Sequence, residues 1–104
     1  MNDSNSRALR YMLGEIKITP QAHGAAARHG PSVVTLLERH ARNDFGDVSS
    51  TARERNRLAA TTGQDIQSRH RLVDGAFIVN TTNAERSETS VDVARVTDLG
   101  LLES

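Results

Sequence analysis

The chain has 104 residues, with thirteen Lys and Arg balanced by thirteen Asp and Glu, and no cysteine. This length predicts a single domain, residues 1–104, with one modest core, and the balanced charge gives no global field that would draw the chain to nucleic acid or to a membrane surface. The lack of cysteine excludes disulfides, thiolate catalysis and cysteine-based zinc sites, and no apolar run approaches the about 20 residues of a membrane-spanning helix.

The chain begins with the polar stretch MNDSNSRA, residues 1–8, which is predicted to be flexible. It lacks the apolar region of a secretory signal, so a cytoplasmic location is expected. Ile16 and Ile18 then alternate with polar neighbours, as in a short strand. Thr19 and Pro20 predict the start of a helix, because threonine caps free N–H groups and proline suits the first helical position.

Two further segments are predicted to be helices, and a polar turn separates them. The apolar face of residues 31–42 (PSVVTLLERHAR) has helical spacing and consists of Val33, Leu36, Leu37, His40 and Ala41. In residues 50–63 (STARERNRLAATTG), Thr51 and Glu54 have the spacing of a capping box, and Gly63 suits the helix end. The apolar stripe of this last helix is thin, so we expect it on the surface of the fold.

From residue 65 the hydrophobic pattern changes to a period of two, which is typical of strands. Asp74-Gly75 between two alternating runs predicts a hairpin with a two-residue turn, which would pair Leu72 with Phe77. The face that this register buries consists of Ile66, Ser68, His70, Leu72, Phe77 and Val79. The opposite face would consist of Gln67, Arg69, Arg71, Ile78 and Asn80. A polar turn, NAERS, and the run ETSVDVARV predict a third strand.

Together these elements predict an α+β fold. It comprises two to three short helices followed by a three-stranded antiparallel meander, which the N-terminal strand at Ile16 and Ile18 can join. The last residues, 97–104, are predicted to be flexible.

Several stretches carry a family resemblance. They are ITPQA (18–22), LLERHARNDFGD (36–47), RERNRLA (53–59), DIQSRHRLVDG (65–75) and FIVNTTNAERSETSV (77–91). In this order they resemble a family of small proteins encoded on plasmids and integrative elements, catalogued as plasmid-related proteins or, misleadingly, as a type I restriction enzyme subunit. That family has tryptophan where Phe45 and Phe77 stand, and an aromatic residue at His70. The resemblance implies a mobile-element context and no established reaction.

The stretch RHARNDFGDVSSTARERN, residues 39–56, is the strongest candidate for chemistry. His40, Asp44 and Asp47 are residue types that bind metals or transfer protons. However, His40 lies on the apolar face of its helix, and the other two residues lie in a turn whose Gly46 suits a positive φ. We therefore interpret residues 43–47 as a structural connector. A metal-dependent enzyme centred on these three residues stays an alternative.

Arginines supply the candidate partner-binding residues. Arg69 and Arg71 share one sheet face, and Arg86 in the next turn could extend their row toward an anionic partner. The competing interpretation is that these arginines pair with Asp92 and Glu88 across the strands. Arg53 and Arg57 on the surface helix form the second candidate set.

No catalytic motif and no cofactor motif is present in the sequence. We therefore expect a non-catalytic protein, without a cofactor, that acts by protein-protein binding. The resemblance further implies an accessory protein of a mobile genetic element that binds a host protein and acts against a host defence system. The alternative is a small nucleic-acid-binding or regulatory module that uses the Arg69, Arg71 and Arg86 row. No membrane partner is expected.

Overall fold

The computed structural model describes residues 13–95, apart from the side chains of Ala60 and Thr61. Its elements are β1 (Glu15–Ile18), α1 (Pro20–His29), α2 (Val33–Ala41), α3 (Ser50–Thr62), β2 (Ile66–Arg71), β3 (Phe77–Thr82) and β4 (Glu88–Ala94). The α+β class is confirmed, with the helices preceding the main part of the sheet. The ends predicted to be flexible, 1–8 and 97–104, lie outside the described residues.

The sheet has four strands in the order β1-β4-β3-β2. Strands β2, β3 and β4 form the predicted antiparallel meander, and β1 joins it in parallel with β4. The sheet is therefore mixed, which the sequence did not predict. A parallel pair needs a long connection between its strands, and here the three helices and the β2–β3 hairpin supply it.

Each helix begins at a hydroxyl side chain that accepts a main-chain N–H bond. Thr19 accepts from the amide of Ala22 at 3.1 Å, as predicted for α1. Helix α3 begins earlier than the predicted capping box, because the hydroxyl of Ser49 accepts from the amide of Ala52 at 3.0 Å. Three consecutive hydroxyl residues, 49–51, can each cap a helix, so sequence alone did not distinguish them. Gly63 ends α3 in the left-handed conformation, with φ of 69°.

Helices α1 and α2 cover one face of the sheet and build the main core there. The core consists of Leu13, Ala22, Ala25, Ala26, Val33, Leu36, Leu37, Leu72, Ile78 and Val91. The opposite sheet face holds a small second cluster of Phe77 and Val79, with Ala94 packed against it. Within residues 13–95, no helix is long and apolar enough to cross a membrane.

The predicted register of the β2–β3 hairpin is wrong by one residue. Arg71 pairs with Phe77, and Ser68 pairs with Asn80. The strands are joined by the five residues 72–76, closed by a bond from the amide of Leu72 to the carbonyl of Ala76 at 2.7 Å. This longer loop changes the pairing because Leu72 leaves the strand and packs into the helix-covered core.

The shift moves side chains between the two sheet faces. The helix-covered face holds Ser68, His70, Ile78 and Asn80, and the opposite face holds Arg69, Arg71, Phe77 and Val79. Leu72 and Phe77, predicted to be buried in contact, are both buried but belong to separate clusters.

The outer edge of β2 is covered by the loop between α2 and α3 and by α3 itself. The amide of Arg69 donates to the carbonyl of Phe45 at 3.0 Å, and the carbonyl of Arg69 accepts from the amide of Asp47 at 2.6 Å. The side-chain amide of Asn56 bonds both main-chain groups of Gln67, at 2.6 and 3.1 Å. These bonds occupy groups that an exposed edge strand would offer to another chain.

Candidate binding site beside helix α3

The two carboxylates of the segment between α2 and α3 fasten it to its neighbours, Asp44 to α2 and Asp47 to β2. Asp44 accepts from Nε of Arg39 at 2.8 Å and from the amide of Gly46 at 3.3 Å. The Arg39 bond holds the pKa of Asp44 below its ordinary value. Asp47 accepts from the main-chain amide of Arg71 at 3.0 Å. Both carboxylates thus hold the connector in place, and its Phe45 is buried.

His40 points away from these carboxylates and joins a buried polar network under α2. Its Nδ1 lies 2.7 Å from Oγ of Ser68, and its Nε2 lies 2.9 Å from Oγ1 of Thr82. Oγ1 of Thr82 lies 2.7 Å from Oγ1 of Thr89, whose hydroxyl donates to the carbonyl of Leu13 at 2.7 Å. Within residues 13–95, no three His, Asp or Glu side chains converge as metal ligands would.

The order of donors in this network determines that Nε2 of His40 carries a proton. Since the Thr89 hydroxyl donates to a carbonyl, it accepts from Thr82. Thr82 has then used its proton, so it accepts from Nε2–H of His40. This order places a proton on Nε2. Oγ of Ser68 accepts from the side-chain amide of Asn80 at 3.2 Å, so the Ser68 hydroxyl can donate to Nδ1 of a neutral ring. In agreement, burial, with smaller effects from the charges of His70 and Arg86, lowers the pKa of His40 to about 4.

The Ser68–His40 pair has the contact distance of a nucleophile and its base. Ser68 is 0% exposed and His40 is 3% exposed, so no substrate reaches either side chain in this structure. We therefore assign the network to the core. His70 is buried, as predicted, and the Ser68 hydroxyl bonds His40. Among the described residues, Nε2 of His70 has no hydrogen-bond partner.

Arg86 fastens the β3–β4 turn to the end of α3. Its guanidinium donates to three main-chain carbonyls: Gln64 at 2.9 Å, Asn83 at 2.8 Å and Ala59 at 3.1 Å. The residue also has a positive φ of 59°. Arg86 is thus engaged within the fold and does not extend the predicted row of Arg69 and Arg71.

Replacing Arg86 with alanine should lower the free energy of unfolding by about 1–3 kcal/mol, because three carbonyls lose a charged donor. Arg86→Lys should recover little of this loss, since a single ammonium cannot replace a planar fork that reaches three separate acceptors. Urea unfolding of both variants, with exposed Arg71→Lys as the control, measures the effect. An Arg86→Lys variant as stable as the wild type would contradict the three-carbonyl role.

Arg69 and Arg71 share a sheet face, as predicted. Arg69 is only 6% exposed, and the guanidinium carbon of Arg71 lies 5.1 Å from the ring centre of Phe77. Glu88 was one of the two carboxylates expected to pair with these arginines. Its carboxylate instead lies 3.3 Å from Nζ of Lys17. The two arginines therefore flank an apolar cluster instead of forming an open basic row.

Helix α3 packs against the sheet through short side chains, which leaves its arginines outside. Among its described side chains, the buried ones are Ala52, Asn56 and Ala59, and the exposed ones include Arg53, Arg55 and Arg57. At 100° per residue, Arg53 and Arg57 fall on one flank of the buried stripe and Arg55 falls on the other. The role of Asn56 was not predicted, although a polar residue within the thin apolar stripe is a signal that could have indicated it.

A groove lies on the flank that carries Arg53 and Arg57, the two arginines predicted in this helix. We call it the α3 groove; its volume is about 280 Å³ and its walls are Asn43, Phe45, Arg53, Asn56, Arg57 and Ile66. Nη2 of Arg53 donates to the carbonyl of Gly46 at 3.1 Å, and Nε of Arg57 donates to Glu54 at 3.1 Å. Nη2 of Arg57 also donates to Glu54, at 2.5 Å, so the pair uses both carboxylate oxygens. Both arginines line the groove together with the ring of Phe45 and the side chain of Ile66.

No family model, curated protein or solved structure matches the chain. The resemblance to plasmid-encoded proteins therefore stays a prediction, and the function has to be argued from the surface itself.

Proposed function

We propose that this protein is a non-catalytic binding protein that recognises an acidic segment of a protein partner through the α3 groove. The observation that carries the proposal is the combination of an apolar floor, Phe45 and Ile66, with two positioned arginines, Arg53 and Arg57. A single groove with both characters suits a segment that has an apolar side chain next to carboxylates.

The energetics of such recognition divide between the two parts of the groove. Burying an aliphatic side chain of the partner contributes about 1.5–3 kcal/mol. Bonds from Arg53 and Arg57 to carboxylates of the partner add specificity, because each guanidinium has five N–H donors. At Arg57 the partner would bond the remaining donors or replace Glu54, which occupies Nε and Nη2. The bond of Arg53 to the carbonyl of Gly46 supports the site, since less freedom of that side chain is lost on binding.

We further propose, as the family resemblance implies, that the partner is a host protein and that the protein serves a mobile genetic element against host defence. The alternative, a nucleic-acid module built on Arg69, Arg71 and Arg86, has less support. Arg86 donates to three carbonyls of the fold, and Arg69 is almost fully buried. Phosphate contacts would need all three side chains to reach the surface together.

Selection of peptides from a random display library tests the proposal even though the identity of the partner is not known. The enriched peptides should contain an aliphatic or aromatic residue flanked by Asp or Glu. Their binding should weaken by at least tenfold in the Arg53→Glu, Arg57→Glu double variant, which is a loss of about 1.4 kcal/mol or more. The matched control is Arg28→Glu, a reversal at an exposed position on α1.

Thermal unfolding of each variant shows whether the fold is retained. We expect the fold to be retained, because both replaced arginines are exposed. Peptides without acidic residues, or equal binding by wild type and double variant, would argue against the α3 groove. Submicromolar binding of DNA or RNA at physiological salt, lost in an Arg69→Gln, Arg71→Gln variant, would favour the nucleic-acid alternative.

A further inference from the structure

Strand β1 forms an open edge of the sheet. In the strand order β1-β4-β3-β2, its one neighbour among the described residues is β4. The amides of Glu15 and Thr19 bond carbonyls on the β4 side, at 2.9 and 3.1 Å. Main-chain groups alternate in direction along a strand, so the N–H and C=O groups of Ile16 and Ile18 point away from β4, toward the outer edge.

The two edges of the sheet differ in how they are covered. At the β2 edge, the loop between α2 and α3 bonds both main-chain groups of Arg69. No main-chain group within residues 13–95 bonds the outward groups of β1 in this way. An edge strand with unpaired N–H and C=O groups is a template on which another strand can pair. The β1 edge is therefore the part of the described sheet that a further strand could join.

The sequence of β1, Glu15–Ile18, is complementary to itself. When two copies pair antiparallel with Ile16 at the centre, Glu15 of each copy lies opposite Lys17 of the other. The neighbouring registers, centred on Glu15 or on Lys17, would place like charges opposite each other. Nζ of Lys17 also lies 3.3 Å from the carboxylate of Glu88 in its own chain, but the Lys17 side chain is 57% exposed and can contact a second carboxylate.

The main chain and the apolar side chains fit the same register. Ile16 of each copy would exchange two main-chain bonds with Ile16 of the other. Its side chain packs against the main core on the helix-covered face, and Ile18, on the same face, is 38% exposed. Ile18 would lie opposite Gly14 of the second copy, where the lack of a side chain leaves room for it. The pairing thus covers an exposed apolar side chain.

We propose that β1 pairs antiparallel with β1 of a second copy of this chain, so that two four-stranded sheets become one continuous sheet in a symmetric dimer. Two strands of four residues form a small interface, so the dimer is weak and depends on protein concentration. The inference does not rest on the proposed function. The α3 groove includes Ile66 of β2, at the opposite edge of the sheet, and stays open in both copies.

Amide hydrogen exchange of the full chain, followed from about 10 µM to about 1 mM protein, tests the pairing. The outward amide of Ile16 should exchange more slowly as the concentration rises, while the mass measured by sedimentation increases toward that of a dimer. The amides of Glu15 and Thr19 bond the β4 side within each copy, so they serve as internal references whose exchange should change little.

Reversal of one charge tests the register. Glu15→Lys should weaken the dimer by about tenfold, because two attractive pairs across the strands become repulsive. Adding Lys17→Glu to the same chain should restore most of the affinity, because opposite charges again face each other. Both positions are exposed, so the fold should be retained. The matched control is Asp65→Lys, the same reversal at an exposed position beside β2, which should leave the dimer unchanged.

Protection of the Ile16 amide that rises with concentration, together with recovery of the affinity in the double variant, would support the proposal. A chain that stays monomeric at about 1 mM would overturn the dimer. A dimer in which the Ile16 amide exchanges as fast as in the monomer would overturn pairing through β1. Equal weakening by Glu15→Lys and Asp65→Lys, or a double variant as weak as Glu15→Lys alone, would overturn the register centred on Ile16.

Discussion

Replacing Gly46 with alanine should destabilise the protein by about 2–5 kcal/mol. This is the sum of about 1–2 kcal/mol for holding an L-amino acid in the left-handed backbone conformation and about 1–3 kcal/mol for overpacking. Gly46 has φ of +71°, and a Cβ atom there would press against the main-chain carbonyl of Arg69 and lie 2.6 Å from Nδ1 of His70. The loop would have to leave the edge of β2, and the bonds of Phe45 and Asp47 to Arg69 would be lost.

Gly63 provides a matched control for this experiment. Its φ is +69°, almost that of Gly46, but a Cβ atom there meets nothing within 4 Å. Gly63→Ala should therefore cost only the conformational part, about 1–2 kcal/mol. Urea unfolding of the two variants isolates the close approach of the loop to β2. Equal losses at both positions would show that the loop does not depend on this contact.

Stability should fall by about 3 kcal/mol as the pH decreases from above 6.5 to below 4, because of His40 alone. The folded state holds the His40 pKa at about 4, below the ordinary value of 6.5. In this window the unfolded chain binds a proton that the folded chain does not accept. The stabilisation is therefore complete above pH 6.5 and is lost as the pH falls toward 4. Burial also lowers the pKa of His70, which adds to the same trend.

His40→Gln should flatten this pH dependence, because glutamine does not titrate and can still donate and accept hydrogen bonds. His23→Gln, at an exposed position on α1, is the matched control for the loss of a histidine. Ring chemical shifts of the wild-type histidines give an independent readout should the variant be too unstable. A His40 ring that takes up a proton near pH 6.5 would contradict the lowered pKa of the buried ring.

Local features of the sequence predicted the elements well. Thr19-Pro20 begins α1, and Gly63 ends α3, because capping depends on a few neighbouring residues. The segment 43–47, interpreted as a structural connector, buries its Phe45. The apolar spacing of residues 31–42 correctly placed His40 on the buried side of its helix.

Features that depend on distant contacts were predicted less well. Asp74-Gly75 indicated a hairpin, but the role of Leu72 in the helix-covered core decided the loop length and therefore the register. The bonds of Arg86 to Ala59 and Gln64 span more than twenty residues. No local pattern could therefore have indicated that Arg86 is engaged within the fold and does not join Arg69 and Arg71. Arg53 and Arg57 were identified, but the groove beside them requires Phe45 and Ile66 from other elements.

The most direct test of the proposed function is chemical-shift mapping of the tightest acidic peptide obtained by selection. We expect the largest amide shifts to surround the α3 groove, at Asn43, Phe45, Arg53, Arg57 and Ile66, and to disappear in the Arg53→Glu, Arg57→Glu variant. Shifts centred instead on the exposed Ile18 and Val34, beside β1 and α2, would contradict binding in the α3 groove.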